Sequence, residues 1–146
     1  NSVGSDNGER MTAIWYQKVD LAELNKPGEH INSLLDIRFE EYGDDWISAS
    51  MPVDARTRQP YGILHGGASV VLAAYLCVDN SAAYCVGLEV NANHLKAVRS
   101  GRVTALARPV HIGRTTHVWD IRLHNDAAQL TCIARLTMAV VPVGKG

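Results

Sequence analysis

Residues 59–73 read QPYGILHGGASVVLA, and this stretch decides the fold. A turn rich in Pro and Gly leads to a His-Gly-Gly step, and the small and apolar residues that follow predict a helix from about His65 to Cys77. The predicted helix is apolar on all sides, which indicates burial rather than a surface position. The backbone N–H groups at its start lack an intrahelical acceptor and are suited to hold an oxyanion.

The segments around this helix have the apolar patterns of β-strands. Six strands are predicted, at residues 35–42, 46–52, 83–94, 102–112, 115–125 and 129–141. Asp20 and Glu23 form a capping box for a short helix that precedes them. Because helices and strands do not alternate, an antiparallel α+β sheet is expected. Only this sheet can surround the apolar helix, so the sequence predicts a curled sheet wrapped around one central helix.

Length and composition predict a single domain. The chain has 146 residues, of which 47% are hydrophobic and 20% charged, ordinary values for a globular protein with a sizeable core. Residues 1–10 are rich in Ser, Gly and Asn and show no apolar periodicity. We interpret them as a tag or linker remnant and residues 11–146 as the domain.

Charge and cysteine content argue against several classes of partner. The net charge is −1, and positive and negative residues are dispersed along the chain. We therefore expect that the protein binds neither nucleic acid nor an anionic membrane. The longest apolar run, residues 68–78, is too short to span a bilayer. Cys77, Cys85 and Cys132 lack metal-ligand spacing, so we expect reduced thiols, a cytoplasmic location and no metal site.

Five blocks of sequence, taken together and in order, resemble the hotdog-fold acyl-CoA thioesterases. The subgroup is the one that acts on hydroxybenzoyl-CoA and 1,4-dihydroxy-2-naphthoyl-CoA. The blocks are Asp36–Glu40, Met51–Asp54, Gln59–Gly67, Val86–His94 and Ser100–Val103, and the resemblance runs from Trp15 to Val141. It implies hydrolysis of an acyl- or aroyl-CoA thioester to the free acid and CoA. No separate cofactor is implied, because coenzyme A is part of the substrate.

The resemblance also implies roles for three residues at the start of the central helix. The N–H of Gly66 would hold the negative charge that develops on the thioester carbonyl, for which a helix start without a side chain is suited. His65 and Gln59 would position the thioester. Each residue also has a structural interpretation: tight helix–sheet packing for Gly66, a helix cap for His65 and a turn for Gln59.

A second group of residues would hold the coenzyme A moiety. By resemblance this group is Gly87, His94, Leu95, Lys96, Ala97, His111, Ile112, Gly113, Arg114, Thr115 and Thr116. Lys96, Arg114 and the threonine hydroxyls suit phosphate oxygens, whereas the apolar members would contribute backbone or packing. The alternative is two ordinary basic loops at strand ends.

The sequence departs from the family at the catalytic acid. In the family a glutamate, acting as base or nucleophile, follows the histidine by nine residues, but Ala74 stands at that distance from His65. One account is a substitution of Glu by Ala. In the other, about seven residues (two helical turns) are absent, because residues 75–77 resemble the far end of the family's helix. Neither Asp79 nor Glu89 is expected to replace the acid.

The family's spacing predicts a homo-oligomer. Two positions nine residues apart on one helix are separated by about 13 Å along its axis, so they cannot both touch one carbonyl carbon. The acid must therefore come from a neighbouring subunit, which predicts a site at the interface of a homodimer. The family further implies a dimer of dimers, that is, a homotetramer.

These patterns predict an acyl-CoA thioesterase whose catalytic glutamate is missing from the central helix. The alternative is a non-catalytic or inactivated acyl-CoA-binding protein of the same fold, which a ligand would stabilise without turnover. A hotdog hydratase or dehydratase is a third candidate, but its usual Asp/His-rich motif is not found in the sequence.

Overall fold

A computed structural model describes residues 19–74 and 83–142 of the chain. In chain order its elements are α1 (Leu21–Leu24), α2 (Ile31–Leu34), β1 (Arg38–Tyr42), β2 (Ile47–Pro52), α3 (Gly66–Ala74), β3 (Ala83–His94), β4 (Arg102–Ile112), β5 (Thr116–His124) and β6 (Leu130–Pro142). The strands form one antiparallel sheet in the order β1-β2-β4-β5-β6-β3. The predicted α+β fold, a curled antiparallel sheet with one central helix, is confirmed.

The core lies between the concave face of the sheet and helix α3. Burial alternates along β5, whose Trp119, Ile121 and Leu123 are fully buried on one face. The same face of β2 buries Ile47, Ala49 and Met51. Helix α3 contributes Leu72 and Ala73, both 0% exposed. Burial of apolar surface on both sides of this contact fixes α3 against the sheet.

Four register shifts interrupt the sheet within the described residues, and two of them lie in strands β3 and β4. The register shifts between Gly87 and Glu89 in β3, and again between Pro109 and His111 in β4. A bulge of this kind bends the strand and increases its twist locally. The two bulges therefore contribute to the curl that lets the sheet wrap around a single helix.

Helix α3 is short for the sheet that surrounds it. Its nine described residues correspond to about 14 Å, whereas the thirteen residues of β6 extend for about 40 Å. Ile112 is paired with the buried His117, and is 40% exposed at the end of the sheet remote from the start of α3. The predicted continuation of the helix to Cys77 lies outside the described residues.

The N-terminal part of the fold differs from the prediction. Helix α1 has its predicted cap, because the Glu23 N–H donates to Oδ1 of Asp20 at 3.2 Å, but it ends after one turn. Helix α2 was not predicted, and its cap is His30, whose Nδ1 accepts the Ser33 N–H. Strand β1 consequently begins three residues later than predicted. Asp36 precedes it with a positive φ of 55°, which is incompatible with an extended strand.

Several predictions fall on residues that the structure does not describe. These are the tag interpretation of residues 1–10, the thiol of Cys77 and the position of Asp79. Cys132 is a free and buried thiol, as predicted. Within residues 19–74 and 83–142, none of the helices has the length and apolar character needed to cross a membrane.

Candidate active site

The start of helix α3 is anchored from two sides. The Leu64 N–H donates to the Val98 carbonyl at 2.7 Å, and the His65 N–H donates to the Thr57 carbonyl at 2.8 Å. Thr57 is itself 1% exposed, and its hydroxyl donates to the Pro52 carbonyl at 2.8 Å. The loop of residues 53–65 therefore delivers the His-Gly-Gly step to a fixed place on the sheet.

His65 is the N-cap of helix α3. Its carbonyl accepts the N–H groups of Ala68 and Ser69, at 3.0 and 3.3 Å, and its Nδ1 accepts the Gly67 N–H at 2.8 Å. With Nδ1 as an acceptor, the neutral imidazole carries its proton on Nε2. The cap interpretation of His65 is thus confirmed, and Nε2 stays available to a ligand.

Gly66 is the first helical residue, and its N–H has no hydrogen-bond partner among the described residues. This donor lies at the positive end of the helix dipole, where a developing negative charge is stabilised. A β-carbon at Gly66 would lie 3.1 Å from Cε1 of His94, and one at Gly67 would lie 2.9 Å from the His65 ring. The two glycines therefore allow both imidazoles to approach the helix start while leaving the N–H of Gly66 uncovered.

A cavity of about 340 Å³ opens at this point. Its lining residues are Gln59, Ile63, Leu64, Gly66, Ser69, His94, Leu95, Lys96, Ala97, Val98, Thr131 and Cys132. The cavity is thus lined both by Gln59 and Gly66, which the resemblance assigns to the thioester, and by residues 94–97, which it assigns to coenzyme A. The lining set contains no Asp or Glu, so within the described residues this cavity has no carboxylate to act as a base.

Gln59 combines a structural contact with a place at the cavity. Its side-chain oxygen accepts the Tyr61 N–H, and its backbone bonds Ile63 and Gly62 at 2.9 Å each. These bonds confirm that Gln59 is a turn residue. They use the amide oxygen and leave the Nε2 group as the end that can donate to a ligand.

The residues assigned to coenzyme A fall into two sets at opposite ends of the sheet. Residues 94–97 lie at the cavity, where the N–H groups of Leu95 and Lys96 bond the Thr131 carbonyl. Gly87 pairs with Met138, which pairs with His117, so it lies at the same end as the 111–116 hairpin. His94 lies seven positions after Gly87 on β3, a distance of about 23 Å. Within one chain the two sets do not form one site.

The residues that line the cavity include Ser69 and Cys132, to which the sequence assigned no role in the site. Burial raises the pKa of the Cys132 thiol above its ordinary value, so it is a neutral thiol at pH 7 and not a nucleophile. Ser69 is 1% exposed. Its presence inside an otherwise apolar helix was the signal that sequence reasoning passed over.

The helix cap formed by His65 and its predicted role in positioning a thioester are separable by substitution. Asn is a good N-cap, so His65→Asn is expected to keep the free energy of unfolding within about 0.5 kcal/mol of the wild type. His65→Ala should lower it by about 0.5–2 kcal/mol. If the imidazole also positions a thioester, as the family resemblance implies, both variants should lose about 10-fold to 100-fold in its hydrolysis. Urea unfolding and thiol-release assays measure the two effects, and an Asn variant as active as the wild type would reduce His65 to a cap.

Comparisons of sequence identify the family. Residues 61–132 match the model of the thioesterase superfamily. The chain is 62% identical over 139 residues to esterase PA1618 of Pseudomonas aeruginosa, covering 90% of this chain and 96% of that protein. It is 47% identical over 136 residues to the 1,4-dihydroxy-2-naphthoyl-CoA hydrolase of Escherichia coli K12, covering 88% of this chain and 99% of the hydrolase.

Solved structures agree with the sequence comparisons. A crystal structure of a glutamine-to-alanine variant of thioesterase PA1618 matches with a TM-score of 0.83 at 62% identity, over 89% of this chain and 99% of that chain. A thioesterase protein of Streptococcus pneumoniae, crystallised with coenzyme A, matches with a TM-score of 0.67 at 29% identity, over 73% of this chain and 86% of that chain. Sheet, helix and uncovered amide together define a hotdog-fold thioester hydrolase. The chain belongs to the thioesterase superfamily.

Proposed function

We propose that the protein acts on acyl-CoA or aroyl-CoA thioesters at the start of helix α3. The observation that carries this proposal is the N–H of Gly66, which has no partner among the described residues and lies at the cavity wall. A thioester carbonyl oxygen placed there accepts this hydrogen bond and gains negative charge as water attacks the carbonyl carbon. The C–S bond then breaks, and the CoA thiolate leaves and takes up a proton.

The neighbouring side chains provide further donors for the ester. Nε2 of His65 and the side-chain Nε2 of Gln59 are both donors not used by the helix cap or the turn. Lys96 brings a positive charge to the same cavity, which suits a phosphate oxygen of coenzyme A. These groups bind and orient the thioester as donors of hydrogen bonds or of positive charge, and none of them is a carboxylate.

The base that the family supplies is absent from this helix. Residues 66–74 contain no Asp or Glu, and the described lining of the cavity contains none either. The alignment lengths support an internal shortening over a simple substitution. The alignment with PA1618 is 139 positions long, but it covers 90% of this chain, or about 131 of its 146 residues. About eight aligned positions therefore hold a residue in PA1618 and a gap in this chain. The E. coli hydrolase gives a similar excess, 136 positions against 88% of 146 residues, or about 128.

A two-fold dimer unites the two sets of coenzyme A residues. Strand β3 is an edge of the six-stranded sheet, and Val86 and Leu88 on it are 41% and 61% exposed. An exposed edge of this length favours pairing with another strand. In a two-fold dimer, two β3 strands lie side by side and run in opposite directions. This pairing brings the His94 end of one copy beside the Gly87 end of the other. Lys96 of one subunit and Arg114 of the other then flank one coenzyme A. The dimer of dimers, the absence of a separate cofactor and the cytoplasmic location remain predictions.

The absence of a carboxylate favours a second candidate, an acyl-CoA-binding protein that does not turn its ligand over. Both candidates use the same cavity and predict the same binding. They differ only in whether the thioester bond is cleaved at a rate above that in buffer. Binding and hydrolysis must therefore be measured on the same sample.

The test uses the whole chain after its intact mass has been matched to 15.9 kDa. Benzoyl-CoA, octanoyl-CoA and free CoA are added in a thermal-unfolding series, and released thiol is followed in parallel. We expect both esters to raise the melting temperature with concentration, as a ligand of the folded state must. Slow thiol release supports the hydrolase and no release supports the binding protein. The proposal fails if neither ester stabilises the chain at millimolar concentration.

A further inference from the structure

The hydroxyl of Ser69 is a buried polar group that none of the roles assigned above uses. Ser69 is 1% exposed, and among the described residues its Oγ has no hydrogen-bond partner. Burying a hydroxyl without a partner costs about 1–3 kcal/mol. Native structures usually satisfy such groups with a protein atom, an ordered water or a ligand, and the place of Ser69 at the cavity makes a ligand a candidate partner.

The Ser69 hydroxyl and the Gly66 N–H lie on the same side of the cavity. Both residues line the cavity, and they stand three positions apart on α3, which places them on one face of the helix. Side chains on a helix lean toward its N-terminus, so the Ser69 hydroxyl lies over the first turn. It has no hydrogen-bonded base among the described residues, and without one a serine is a donor rather than a nucleophile.

We propose that the Ser69 hydroxyl donates a second hydrogen bond to the thioester carbonyl oxygen, which already accepts the Gly66 N–H. This inference rests on the proposed function. A carbonyl oxygen has two lone pairs and accepts two donors, and the negative charge that develops on it strengthens both bonds. Ser69 therefore recognises the carbonyl of the ester and not the acyl chain or the nucleotide.

Two ligands that differ only at the carbonyl test this role. Benzoyl-CoA has the oxygen, whereas S-benzyl-CoA is a thioether with the same ring and no oxygen. We expect Ser69→Ala to bind benzoyl-CoA about 3-fold to 10-fold more weakly than the wild type, the value of one neutral hydrogen bond. Its affinity for S-benzyl-CoA should change less than about 2-fold. Calorimetric titration measures both affinities.

Ser50→Ala is the matched control. Ser50 is also buried, but its hydroxyl is bonded to Glu40 and Arg102, away from the cavity. Ser50→Ala should lower the melting temperature without changing either affinity, whereas Ser69→Ala should leave the melting temperature unchanged or raise it. Equal losses for both ligands, or none, in Ser69→Ala overturn the role of Ser69. If the wild type binds neither ligand, the proposed function itself fails.

Discussion

Ala74→Glu is expected to raise the rate of CoA-thioester hydrolysis by about 10²–10⁴, the usual contribution of a positioned general base. Ala74 is the last described residue of helix α3 and stands nine residues after His65, the spacing at which the thioesterases that this sequence resembles have their glutamate. In the predicted homodimer, the substitution returns a carboxylate to the site of the neighbouring subunit, which retains its own Gly66 donor. The measurement is thiol release from benzoyl-CoA under single-turnover and steady-state conditions.

Ala74→Gln is the control for this substitution, because glutamine has the size of glutamate without its basicity. Equal rates in the two variants would show that the carboxylate does not reach the thioester. A third variant separates a substitution from a shortened helix. It inserts Glu and six helix-forming residues between Ala73 and Ala74. If the helix is shortened, this insertion should hydrolyse faster than Ala74→Glu, since two further turns extend the helix along the concave face near Ile112.

Gly66→Pro is expected to lower thioester hydrolysis by about 10²–10³, the cost of removing one oxyanion donor. Gly66 is the first residue of α3, a position at which proline is tolerated because its missing N–H has no intrahelical partner. The substitution therefore removes the proposed donor and preserves the helix. The rate is measured in the wild-type background and again in Ala74→Glu.

Gly66→Ala is the matched control, since alanine adds a β-carbon against His94 but keeps the N–H. The β-carbon would lie 3.1 Å from Cε1 of His94, a contact that a small movement of the ring relieves. We expect the alanine variant to stay within a few-fold of the wild type, and circular dichroism to be the same for both variants. If alanine and proline reduce the rate equally, steric crowding at His94 explains the loss and the oxyanion role is wrong.

The strands that the sequence predicted well are those with strong alternation or clear turn signals. The bounds of β3 and β4 agree with the prediction, and β5 and β6 differ from it by a single residue at each end. The alternation in the sequence of β5 agrees with the burial of one face, because one-sided burial imposes a period of two. The N-terminal segment was less predictable. A four-residue helix such as α2 has too few positions to show a period, and its cap is a histidine, which is not a usual N-cap residue.

The part of the candidate site that could be predicted is the part formed by residues adjacent in the sequence. The His-Gly-Gly step, the cap by His65 and the uncovered N–H of Gly66 all follow from residues adjacent in the chain. The approach of His94 to Gly66 was not predictable, since it depends on how β3 lies against α3. The same is true of Ser69, whose burial and lack of a partner are visible only when the sheet is in place.

The sequence by itself determined the family, the order of the strands and the central helix, the helix start that we propose as an oxyanion site and the absence of an acid within residues 66–74. Each of these is a property of neighbouring residues or of a periodic pattern. Only the tertiary structure decided that residues 94–97 share a cavity with Gly66 and that the 111–116 hairpin lies at the opposite end of the sheet. The physical reason is that register and strand order bring distant residues together through non-local hydrogen bonds and packing, which no local pattern encodes.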